Sequence, residues 1–181
     1  GKSTDWYVNM VTATIGLFFA LIVLYFQYWK RSLGMIRFTK WAGYLTIATA
    51  LHNVDAIFYL IFTPDTDSGF CTFLGFGLQF TGIMMVFWDF VLAFHIWYPH
   101  YRLLGREKID VDVVQRMNKY SKVIQAVVWL LTFILSFVPF AFDAYGEARI
   151  WCWIVAEPSW MRWVFFYGPL WLIVIVLIGF L

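Results

Sequence analysis

The chain has 181 residues, of which 62% are hydrophobic and only 13% charged. Soluble domains are about half apolar and a quarter charged, so this composition excludes a water-soluble globular domain and leaves room for about five membrane spans joined by short connections. The net charge of +2 excludes little by its size; the placement of the charges carries the information.

Taken in chain order, the first apolar tract covers residues 6–29. Trp6 and Tyr7 stand at one end and Tyr25, Tyr28 and Trp29 at the other, the aromatic belts of a membrane-spanning helix. A basic loop follows with Lys30, Arg31, Arg37 and Lys40. The second span reads as residues 41–62, and the loop after it, TPDTDSG, carries Asp65 and Asp67 but no base. The third covers residues 71–98, opening on Cys71 and ending near Pro99, where the missing N–H should stop the helix. The remaining tracts are expected to pack around this span. The longest polar segment, His100 to Lys122, separates it from a fourth span at residues 123–142. A second acid-containing loop, DAYGEARIWCWIVAEPS, leads to a fifth tract at residues 160–181. The fold class is therefore an all-α polytopic transmembrane helix bundle forming one domain.

Charge sets the expected orientation. The first and third loops carry Lys30, Arg31, Arg37, Lys40, Arg102, Arg106, Lys108, Arg116, Lys119 and Lys122, whereas the second and fourth carry only Arg149. Bases concentrate on the cytoplasmic side, which puts the N-terminus outside. Cys71 and Cys152 then both face the outer, oxidising side, where disulfides persist. With two cysteines only one pairing exists; the alternative is two buried free thiols.

Ionisable groups inside spans are costly and usually face the bundle interior. The second span holds His52, Asn53 and Asp55, and the third holds Asp89 and His95. Gly75, Gly82 and Asp89 recur every seven residues and fall roughly on one face, where small residues admit a close neighbour. His52, Asn53, Asp55 and Asp89 are candidates for an intramembrane polar switch or ion site, the plainer reading being a structural hydrogen-bond cluster. His95 reads as interfacial.

Two blocks carry a resemblance. CTFLGFGLQFT from Cys71, with Trp88 and Ala93 further along, resembles the third helix of the cyclic-AMP-receptor-like (class E) G-protein-coupled receptors. Tyr145-Gly146, Trp151-Cys152-Trp153-Ile154, Phe166-Tyr167 and Pro169-Leu170-Trp171 are similar to that family's signature across the second outer loop and fifth helix. The resemblance implies a seven-helix receptor in the plasma membrane, of which this chain holds five helices, and a Cys71–Cys152 bridge. It implies an outer ligand pocket, for which Trp151 and Trp153 are candidate walls and Arg149 and Arg162 candidate partners of an anionic ligand such as a cyclic nucleotide. It also implies a heterotrimeric G protein as the cytoplasmic partner, facing Arg102, Arg106 and Lys108. The chain departs from the pattern at Leu74, where the family often has Gln, and at His100-Tyr101-Arg102, where an acid-Arg-Tyr triplet would stand.

Other function classes find less support. There is no Gly-rich phosphate loop, HExxH, GxSxG or metal-spaced Cys/His cluster, so neither enzyme chemistry nor a cofactor is expected. Nothing points to nucleic acid. The rival from another class is a structural or accessory subunit of a larger membrane assembly, with broad aromatic faces packed on other membrane subunits rather than only on the lipid bilayer.

Overall fold

In hydrocarbon every backbone N–H and C=O must find a partner within the chain, and a helix does this locally. The computed structural model follows that rule. It describes residues 4–32, 39–62, 68–103, 111–148, 151–155 and 157–179. The long helices are α1 (Thr4–Ser32), α2 (Thr39–Phe62), α3 (Gly69–Leu103), α4 (Val111–Ala141) and α5 (Trp160–Gly179). All five are long and apolar enough to cross a membrane. Their outward faces suit only such a solvent: Phe18, Phe19, Leu172 and Ile175 are each about 60% exposed. The chain is a multi-pass helical bundle.

Two boundaries differ from the sequence reading. Pro99 does not stop α3, which continues to Leu103; one missing N–H is tolerated in a long membrane helix where its partner carbonyl can be satisfied otherwise. And α4 starts at Val111, well before the apolar tract, because helical hydrogen bonding continues into the polar segment. Ser68 caps α3, its hydroxyl accepting from Cys71 N at 3.2 Å.

The helices pack in sequence, α1 on α2, α2 on α3 and α3 on α4, while α3 also meets α5. α3 is central, with 44% of its span buried against at most 22% for any other. Near the α3 C-terminal end the core is aromatic. Trp88 is fully buried, its ring 4.6 Å from Tyr44 and 5.6 Å from Trp41. His95, expected at the interface, is buried in this cluster, 4.8 Å from the Trp41 ring, with Nδ1 donating to Val91 O at 2.7 Å.

The opposite end holds the element that the sequence did not announce. The α4–α5 connection, expected as a loop, is an antiparallel hairpin of β1 (Tyr145–Glu147) and β2 (Cys152–Ile154), with Gly146 opposite Trp153. Asp143 enters it in the left-handed conformation (φ 49°), and Ala144 N–H bonds back to Pro139 O at 2.9 Å. Tyr145 is buried under the hairpin and its hydroxyl donates to Ser136 O at 2.8 Å. Burial pushes that phenol's pKa far above its ordinary value. The Cys71–Cys152 disulfide ties β2 to the first turn of α3.

Candidate functional site

The polar groups of α1, α2 and α3 meet because each sits on a helical repeat that faces the same interior. Asp5, Asn9 and Thr12 lie at i, i+4 and i+7 on α1; His52, Ala56 and Tyr59 do so on α2; Leu78, Gly82, Met85 and Asp89 continue the pattern on α3. With Trp151 and Trp153 of the hairpin and Phe166 and Tyr167 of α5, they line one cavity of about 780 Å³. That volume is in the range that holds drug-sized ligands.

Small residues let the walls close. An added Cβ at Gly16 would fall 2.7 Å from Asn53 Oδ1, so α2 can lay that amide against α1 only because residue 16 has no side chain. At Gly82 a Cβ would come within 3.3 Å of Phe166, and at Gly75 within 3.3 Å of the Cys152 and Trp153 backbone. The Gly75–Gly82–Asp89 row thus serves three purposes: seating the hairpin, seating α5 and presenting a carboxylate to the cavity.

One residue links the hairpin wall to the α5 wall. Gln79 is fully buried; its Oε1 accepts from the Trp153 indole N–H at 2.8 Å, and its Nε2 donates to Phe165 O at 2.8 Å. Phe165 lies in a π-helical turn, Trp163–Tyr167. Pro169, four residues on, has no N–H to give that carbonyl and its ring crowds it, which favours the wider turn and leaves the acceptor for Gln79. Trp153 is therefore held in place from behind, its ring perpendicular to that of Phe166 with the ring centres 5.1 Å apart.

His52 is also anchored from behind, its Nδ1 lying 3.0 Å from Thr81 Oγ1. The Thr81 hydroxyl gives its one proton to Gly77 O at 2.9 Å. Asn53 donates from Nδ2 to Thr49 O at 2.8 Å.

The structure separates the sequence candidates. Trp151, Trp153, His52, Asn53 and Asp89 are brought together at the cavity. Asp55 is not: it packs against Gly77 on α3, away from the cavity lining, so the four intramembrane polar residues do not form one group. Arg162, expected to meet a ligand, turns to the protein. Its Nε donates to Ile154 O at 2.8 Å and its guanidinium lies 5.4 Å from the centre of the Trp153 ring, so it braces the hairpin from outside the cavity. Arg149, Arg106 and Lys108 lie outside the described residues, as does the side chain of Arg102 on the last turn of α3. Among the described residues, no group of three or more His, Cys, Asp or Glu side chains could hold a metal ion.

No family model matches the chain, and neither does any curated protein. Of the motif residues, Cys71, Tyr145, Gly146, Trp151, Cys152 and Trp153 build the hairpin and its tether, and Phe166 and Tyr167 of α5 pack on Trp153. Trp88 lies instead in the core toward the other end of α3, and Trp171 faces outward. Sequence reasoning missed Asp5, Asn9, Tyr59 and Gln79. Gln79 had a readable signal, a lone amide inside CTFLGFGLQFTG, since a polar side chain in such a tract usually bonds across helices.

Proposed function

We propose that this chain is a receptor of the G-protein-coupled type, inserted in the plasma membrane with its N-terminus outside. It takes a small extracellular molecule into the cavity and signals to a heterotrimeric G protein at the basic, cytoplasmic side. One observation carries the reading. Side chains from three sequence-distant helices, from α5 and from a disulfide-tethered hairpin converge on one ligand-sized cavity. A receptor needs such a pocket at one end of a bundle that can take two arrangements. The Gln79 bridge supplies a physical link between the pocket wall and α5, and hence to the helices that a G protein would touch. The receptor fold resembled by the motifs has two further helices, which would close the cavity between α1 and α5.

The test is nucleotide exchange. The protein is reconstituted in nanodiscs with a heterotrimeric G protein and screened against a small-molecule library for altered GTPγS uptake. An active compound should lose its effect in Val86→Trp and Ala56→Phe, which fill the cavity from α3 and α2. If no compound alters exchange while the protein purifies in fixed stoichiometry with other membrane subunits, the receptor reading is wrong and the accessory-subunit reading replaces it.

A further inference from the structure

Resting on the receptor reading of the cavity, we propose that its ligand is an organic cation, an ammonium group on an apolar body, and not an anion such as a cyclic nucleotide. Charge is the first reason. Asp5 and Asp89 both line the cavity, and among the described residues no Lys or Arg does. Arg162, the described arginine near it, is not part of the lining and bonds the hairpin through Nε. An anion beside Asp89 would meet a carboxylate with no described base in the lining, in surroundings that weaken screening.

The walls give a second reason. Trp6, Trp151, Trp153, Phe166 and Tyr167 set aromatic rings around the cavity that Asp5 and Asp89 line. Two of the indole N–H groups are turned to the protein, Trp6 Nε1 to Leu60 O at 2.9 Å and Trp153 Nε1 to Gln79 Oε1 at 2.8 Å. A carboxylate among aromatic rings suits a ligand that brings positive charge, because ammonium groups bond strongly to carboxylates and are drawn to indole faces. Asp89 lies 18 residues beyond Cys71 on α3, about 27 Å along the axis at 1.5 Å per residue. That places it toward the end of the α3 span far from Cys71, with its side chain exposed at the cavity; a carboxylate within a span is stabilised where a cation or water reaches it.

The experiment uses three probes with one body and three charges: 4-phenylbutylamine, 4-phenylbutanol and 4-phenylbutyrate. Binding to the protein in phosphatidylcholine nanodiscs is read by tryptophan fluorescence and thermal shift, with empty nanodiscs subtracting partition into lipid. The amine should bind about tenfold or more tightly than the alcohol, and the carboxylate most weakly. Asp89→Asn should bring the amine down to the alcohol's affinity and leave the alcohol unchanged. Should Asp89→Asn not fold, Asp5→Asn and the wild-type charge series decide. Equal affinity for all three probes, removed by Val86→Trp, overturns the cation inference and leaves the cavity standing. Binding by none of them overturns the cavity reading as well. An amine preference that survives loss of both carboxylates also refutes the inference.

Discussion

Gln79→Leu tests the link that holds the pocket wall. The substitution keeps the volume and removes both hydrogen bonds of a fully buried amide. It strands the Trp153 indole N–H, and it leaves Phe165 O without a donor that Pro169 cannot replace. A buried unsatisfied group costs about 1–3 kcal/mol, whereas polar contacts between membrane helices average only about 0.6 kcal/mol in mutant cycles. Two stranded groups between those limits give an expected loss of about 2–3 kcal/mol. Reversible unfolding in mixed micelles measures it directly. The informative step is the second mutation. Pro169→Ala restores a backbone N–H four residues after Phe165, so in the Gln79→Leu background it should return about 1 kcal/mol. In the wild type it should return nothing, because Gln79 already serves that carbonyl. The two changes should therefore be non-additive by about 1 kcal/mol. A Gln79→Leu loss under about 0.5 kcal/mol, or strict additivity with Pro169→Ala, would refute the bridge as described.

Tyr145→Phe removes the bond to Ser136 O and should cost about 1–2 kcal/mol in the same unfolding assay. It should also flatten an alkaline slope. The folded phenol's pKa is raised by burial above its ordinary value of 10.0. Stability is therefore full below pH 10 and falls as pH rises past it, in wild type but not in the variant; equal slopes would count against a buried, protonated Tyr145. The Cys71–Cys152 bridge closes a separation of 81 residues. Chain entropy alone gives such a loop about 4.5 kcal/mol, but a membrane already restrains the unfolded chain, so Cys71→Ala with Cys152→Ala should cost less. Thermal melts with and without reductant should show one step, absent in the double variant; a wild-type melt indifferent to reductant would mean that the bridge contributes nothing.

How far the sequence could be read depended on whether a feature was local. Span positions depend on runs of apolar side chains, and these were legible to within a few residues, except where α4 began early and Pro99 was carried inside α3. The hairpin was not legible. Its strands are three residues each, too short to show an alternating pattern, and they exist because the disulfide and Tyr145 fix them to α3 and α4. Arg162 looked like a ligand partner because it is a base near an expected outer mouth. Its direction depends on where Ile154 O and the Trp153 ring fall, and neither is set by residue type. Asp55 and Asp89 read alike as acids within spans, yet Gly77 gives one of them a seat against α3 while the other lines the cavity.

The sequence by itself determined the class of solvent and the number of spans, because hydropathy does not depend on how helices are turned; that its two cysteines are joined was decided by the structure. The rotation of each helix belonged to the tertiary structure. A soluble amphipathic helix marks its buried face with an apolar stripe, but α3 and α5 are apolar on all sides and carry no such mark. Their phase is set instead by where backbones can approach closely, at Gly16, Gly75, Gly77 and Gly82, and by the few bonds that cross between elements, above all those of Gln79. That choice of phase decided which polar residues share the cavity, and therefore lined it with the carboxylates of Asp5 and Asp89 among aromatic walls.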